Sequence, residues 1–164
     1  MENKDNKAKV SSKIPTIMPL DKANLPWSLL LDADPDKEKV QQYIDSGSGF
    51  VWQRDNAILG VIIFVVRKTE FEIMNVAVTS KEQNKGIGYN LLIYTLQELQ
   101  KIKTTQQKII VRTGSITSNA LHLYRKVGFK ETIIERDYFI KNYPEPIYEN
   151  GKLLRDQVTL EIRV

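Results

Sequence analysis

The chain has 164 residues, 41% of them hydrophobic and 27% charged, with a net charge of +4. That length and composition suit one globular domain with a proper core, and the chain is too short for two ordinary ones. There is no cysteine and a single histidine, His122. This excludes disulfides, a thiolate nucleophile, Cys-based metal sites and a His-rich cluster, so no metal is expected.

The opening "MENKDNKAKVSSK" has no apolar stretch of the kind a secretory signal needs. It reads as a disordered polar arm over 1–12, ahead of a single domain over 13–164. No run of about 18 apolar residues exists, so no membrane span or membrane partner is expected. Together these features point to a cytoplasmic protein. The lysines are spread along the chain, without a dense basic stripe interleaved with aromatics, so nucleic acid is not an expected partner.

In chain order, "KIPTIMPL" (13–20) is a weak first strand. "NLPWSLLLDADPDKEKVQQYI" (24–44) reads as two short helices, with Asp34 capping the second and Pro35 in its first turn. "GFVWQRD" and "AILGVIIFVVRK" follow as two strands joined near Asp55-Asn56. The second is almost continuously apolar, as a strand buried on both faces would be. "FEIMNVAVTS" (71–80) is a fourth strand.

The period then changes. Leu92, Leu96 and Leu99 recur at i, i+4 and i+7, which predicts an amphipathic helix over 86–102. "KIIVRT" (108–113) is a fifth strand, joined to the fourth through a crossover expected to be right-handed. "SNALHLYRKVGF" (118–129) is a helix, with Gly128 placed as its left-handed C-cap and Phe129 folding back. "KETIIERDYF" gives a sixth strand, "ENGK" (149–152) an Asn-Gly hairpin turn and "QVTLEIRV" a last strand.

Between the fourth strand and the following helix lies "EQNKGIGYN" (82–90). It lacks the third glycine of a dinucleotide fingerprint and the spacing of a Walker loop. Strand, Q-x-x-G-x-G, helix remains. Glycines let the backbone turn sharply and approach a ligand, and helix-start N–H groups offer a site for an anion. A plain Gly-rich turn would have the same appearance.

The strand "IMNVAV", the turn "QNKGIG" and, about thirty residues on, "NALHLYRKVGF" together resemble the GNAT superfamily of acetyl-CoA-dependent N-acetyltransferases. The match spans roughly 58–130. It implies an α/β fold with a single mixed, mostly antiparallel sheet of six to seven strands. A central parallel pair would be splayed, with about four helices flanking the sheet. It implies acetyl transfer to a primary amine of a small molecule or peptide by direct attack, with acetyl-CoA as cosubstrate and a homodimer as a further expectation.

By the same resemblance Gln83, Asn84, Lys85, Gly86, Ile87, Gly88 and Tyr89 would cradle the pyrophosphate of coenzyme A. Val76 and Val78 would pair with pantetheine through their backbone. The Val76 N–H would also face the oxyanion, and Asn119 would contact the cofactor. Tyr124 matches the family's acid, although its place on the apolar stripe equally suits a core tyrosine. Glu72, fourteen residues before Gly86, is placed like the family's base; the alternative is a surface glutamate. Asp32 would face a cationic acceptor, in a "DADPD" run that fails the calcium-loop pattern at Lys37 and Tyr43. His122 falls between stripe positions, as a surface residue does. Tyr138, Tyr143 and Tyr148 either line the acceptor side or decorate a hairpin. The competing reading is a silent acyl-CoA-binding or interaction module.

Overall fold

The computed structural model describes residues 15–116 and 118–164; the polar arm expected over 1–12 lies outside them. Strand β1 (Thr16–Pro19) leads to helices α1 (Trp27–Ala33) and α2 (Lys37–Ser46). Strands β2 (Ser48–Arg54), β3 (Ala57–Val66) and β4 (Glu70–Val78) follow, then a single 3-10 turn (Ser80–Glu82) and helix α3 (Ile87–Ile102). Next come β5 (Lys108–Gly114), α4 (Asn119–Val127), β6 (Lys130–Glu135) and α5 (Tyr138–Asn142). The chain closes with β7 (Tyr148–Glu149), β8 (Lys152–Leu153) and β9 (Gln157–Arg163).

Seven strands form one sheet in the order β1-β2-β3-β4-β5-β9-β6, and β7-β8 make a separate ribbon. Among the described residues the β4–β5 pair is the parallel one, with α3 as its crossover. The mixed, mostly antiparallel sheet agrees with expectation, as do the helices over 87–102 and 119–127. Gly128 (φ 115°) ends α4 as foreseen, and the Phe129 N–H returns to the Tyr124 carbonyl at 3.0 Å. The Asn150-Gly151 turn has φ of 50° and 73°, the left-handed pair that a tight hairpin requires.

Two expectations are corrected. Asp36, not Asp34, caps α2: its Oδ1 accepts from the Lys39 N–H at 3.2 Å, while Asp34 Oδ1 accepts from the Asp36 N–H. Pro35 therefore precedes the cap. The sixth strand stops at Glu135, because Asp137 turns left-handed (φ 57°) and starts α5. Counting the short α5, five α-helices accompany the sheet among the described residues, in keeping with the expected handful of flanking helices.

Both faces of β3 are buried, as its apolar run predicted. Ile62 and Phe64 face a core with Phe71, Ile73, Leu91, Leu92 and Leu99, closed by α3 and α4. Val61, Ile63 and Val65 face a second core with Leu30, Val40 and Ile44 beneath α1 and α2. Gly60 admits α3 closely: a Cβ there would stand 2.9 Å from Ile87 and 3.0 Å from Leu91. Phe71, fully buried in the first core, makes the larger test. Phe71→Ala should lower stability by about 3–5 kcal/mol, read as a shift in the urea midpoint.

Candidate active site

The β4–β5 pairing runs from Glu70↔Lys108 to Ile73↔Val111 and stops there. Beyond it the two strands part. On its other edge β4 stays paired with β3, through a bulge in which Asn75 faces Ile63 and Ile73 faces Phe64 with Met74 between. The bulge shifts the alternation by one. Ile73, Val76 and Val78 all meet the α3 core, whereas Asn75 and Ala77 turn to α1 and α2.

Hydrogen-bond parity shows what the gap presents. The Thr79 N–H donates to the Leu59 carbonyl at 2.8 Å. Alternate residues Ala77 and Asn75, opposite Val61 and Ile63, therefore turn their backbone groups to β3. Val76 and Val78 stand at the intervening positions, so their N–H and C=O groups face the gap. One of these is already used, for Gln83 Nε2 donates to the Val78 carbonyl at 3.0 Å.

At the end of β4 the chain enters α3 through Asn84 (φ 61°) and Gly86 (φ 89°), both left-handed. The first helical bond of α3 runs from the Asn90 N–H to the Gly86 carbonyl. The N–H groups of Ile87, Gly88 and Tyr89 precede it and point out of the helix end. Gly88 lets α4 close in, since a Cβ there would lie 3.0 Å from Leu123. Lys85 is exposed, with its Nζ 3.5 Å from Glu82 Oε2. Arg54 bonds the other Glu82 oxygen at 2.6 Å, and that bond, above all, holds the Glu82 carboxyl below its usual range. Lys126 stands 4.9 Å over the Tyr89 ring. Asn119 is exposed at the first position of α4, where Ser118 is the cap.

Tyr124 is buried in the first core, edge-on to Phe129 at 6.0 Å. Burial, and then the nearby Glu149 carboxylate, push its hydroxyl above the usual tyrosine range. The group is therefore a proton carrier at neutral pH. Glu149 itself is pushed up by burial. His122 is exposed.

Glu72 is neither a surface residue nor a free carboxylate. It is 5% exposed, and Arg112 Nη1 binds Oε1 at 2.6 Å and Oε2 at 2.7 Å. Arg67 adds Nε and Nη2 to Oε2 at 3.3 and 3.2 Å. It lies opposite Ile110, within the closed part of the strand pair. Both oxygens accept from guanidinium groups: Oε1 from Arg112, and Oε2 from Arg112 and Arg67.

On the α1–α2 side Asp32 is exposed, whereas Asp34 is half-buried and accepts from the Tyr143 hydroxyl at 3.3 Å. Burial raises the Asp34 carboxyl above its usual range, against the opposing pull of the Asp36 N–H and Lys39. Lys39 Nζ donates to Tyr138 at 3.3 Å and Tyr143 at 3.2 Å and lies over both rings. Tyr148 is exposed. Asn75, 4% exposed, donates through Nδ2 to the Leu30 carbonyl (3.0 Å) and the Tyr43 hydroxyl (2.9 Å). Its Oδ1 is buried without a protein partner. The Leu30 carbonyl can only accept, which fixes this orientation of the amide.

Residues 45–131 match the acetyltransferase (GNAT) domain family. The chain belongs to the GNAT acetyltransferases. It is 34% identical to uncharacterized N-acetyltransferase YvbK of Bacillus subtilis (strain 168), over 82% of this chain and 86% of that one. A GNAT family acetyltransferase from Elizabethkingia anophelis, solved with acetyl-CoA bound, is 36% identical with a TM-score of 0.84, covering 92% of this chain and 98% of that one. An IAA acetyltransferase from Bacillus cereus ATCC 14579 is 35% identical with a TM-score of 0.85, covering 92% and 100%.

Arg67, Arg112, Lys39 and Asn75 escaped the reading of the sequence. A signal was present: Glu72 and Asn75 interrupt an apolar strand, and buried polar groups need partners. Arg112 follows the last residue of the neighbouring strand that pairs with β4. Arg112→Gln should lower stability by about 1–3 kcal/mol, because it strips the better-placed partner from a buried carboxylate. Arg67→Gln, on an exposed side chain with longer contacts, should cost about 0–1 kcal/mol. Urea unfolding of the two variants side by side checks the ranking.

Proposed function

We propose that this GNAT acetyltransferase transfers acetyl from acetyl-CoA to a primary amine by direct attack. The observation that carries the reading is the open edge of β4, which turns the Val76 and Val78 backbone groups into a gap ending at the glycine-led start of α3. The Elizabethkingia anophelis relative, with acetyl-CoA bound, supports the choice of cosubstrate.

In this reading Gln83, Asn84, Lys85, Gly86, Ile87, Gly88 and Tyr89 hold the pyrophosphate, chiefly through backbone N–H groups at the positive end of α3. Asn119, exposed at the start of α4, adds a side-chain contact. Pantetheine runs along the edge at Val76 and Val78, and Gln83 releases the Val78 carbonyl if the ligand bonds there. The amine nitrogen attacks the thioester carbon, and the Val76 N–H stabilises the oxyanion. As the C–S bond breaks, the Tyr124 hydroxyl gives its proton to the departing sulfur. The phenol is protonated at neutral pH, as any tyrosine is, so it has a proton to give. Because Arg112 and Arg67 occupy Glu72, we assign removal of the ammonium proton to water. On the acceptor side we place Asp34 rather than the exposed Asp32, given its contact with Tyr143.

Two experiments test the reading. Gly86→Val puts a branched side chain at a left-handed position in the proposed cradle, and calorimetry should show acetyl-CoA affinity falling by about tenfold or more. Unchanged affinity in a folded variant would sink the cradle. Tyr124→Phe keeps the ring and removes the hydroxyl. Thiol release with a good amine should show kcat lower by about ten- to a thousandfold, with acetyl-CoA affinity unchanged. Normal kcat with chemistry rate-limiting would make Tyr124 a core residue, and no thiol release from any amine would favour a silent binding module.

A further inference from the structure

A cavity of about 360 Å³ opens between α2, the end of β3 and the middle of β4. Lys39, Gln42, Tyr43 and Ser46 line it from α2, with Arg67 and Met74 across from them. Among the described residues, no carboxylate lines it. Arg67 leads from the cavity to Glu72, and Glu72 leads to Arg112. Arg112 is the first residue of β5 beyond the last parallel pair, Ile73↔Val111, so it stands at the apex of the gap.

These cations are incompletely matched. Arg112 spends only Nη1 on Glu72, and its side chain is 41% exposed. Arg67 spends Nε and Nη2 on the same carboxylate and is 48% exposed. Lys39 bonds two neutral phenols and shares the neighbourhood of Asp34. Two carboxylates, Glu72 and Asp34, thus face three cations. The remaining N–H groups of the guanidinium groups are directed donors of the kind that bind a carboxylate in pairs.

Building on the acetyl-transfer reading, we propose that this basic cleft holds the carboxylate of the acceptor, which is therefore an amine carrying a free carboxylate close to the nucleophilic nitrogen, as in an amino acid. Arg112 and Arg67 bind the carboxylate. The apex position then sets the amine beside the open edge near Val76, and the side of the cavity floored by buried Val65 and half-buried Met74 receives an apolar substituent. Glu72 is a positioning residue, which keeps the two guanidinium groups apart and aimed.

The test compares L-phenylalanine and L-leucine with their methyl esters and amides, and with spermidine, by CoA release. Values of kcat/KM are taken per free amine, since esterification alters the amine's basicity. The acids should exceed their esters by about tenfold or more. Arg67→Gln should erase most of that ratio and leave acetyl-CoA affinity by calorimetry unchanged. The double variant Arg112→Gln/Glu72→Gln should do the same without stranding a buried charge. Esters, amides or spermidine used as well as the acids would overturn the proposal while the acetyl-transfer reading stands. So would a ratio that survives both variants. If no amine releases CoA, the acetyl-transfer reading fails instead, and calorimetry on CoA-saturated protein decides the cleft. Binding of L-phenylalanine but not its methyl ester, lost in Arg67→Gln, supports it; equal or absent binding overturns it.

Discussion

Backbone N–H and C=O groups inside a folded protein need partners, and the last part of β4 lacks a neighbouring strand on one side. The parallel pairing ends at Ile73↔Val111, in the middle of a seven-stranded sheet. Much else follows from this unfilled edge. The bulge at Met74 turns Val76 and Val78 toward the α3 side while keeping β3 in register. Gly60 and Gly88 let α3 and α4 pack close, so that the start of α3 lies beside the end of the gap. The gap persists because apolar packing above and below holds the two strands where hydrogen bonds do not.

The two sides of the gap are held by different forces. On the α3 side the contacts are apolar and dense, from Ile62 to Leu160. On the α1–α2 side the apolar core gives way to a polar margin, where Lys39, Asp34 and Asn75 meet tyrosines and backbone carbonyls. Hydrogen-bonded networks are specific in direction and intolerant of a missing member. In the proposed acetyl-transfer reading, the acceptor meets this polar margin and the cofactor the side built from backbone and packing.

The elements that carry strong local signals were legible before the structure. The apolar run of β3, the leucine spacing of α3, Gly128 and the Asn150-Gly151 turn each encode their conformation within a few residues. The misassigned cap of α2 involved three aspartates two residues apart, each able to cap, and only geometry separates them. The early end of β6 rests on the left-handed Asp137, tied through its N–H to Asp156. The candidate site divides in the same way. Its backbone-made part follows from glycines in sequence. The partners of Glu72 are five and forty residues away, and those of Lys39 about a hundred. No local pattern reports a pairing that depends on which strands become neighbours.

Strand β9 is the last element in chain order, yet it sits between β5 and β6 and pairs with both. A ribosome delivers this chain at about 5–20 residues per second. Until residues 157–163 emerge, the far edge of β5 has no cover and β6 has no sheet to join. The nascent chain therefore carries a half-sheet whose exposed edge invites pairing with other chains. Completion comes as an insertion rather than an addition, and Lys108 on the waiting edge of β5 gains its partner Glu161 only when β9 arrives.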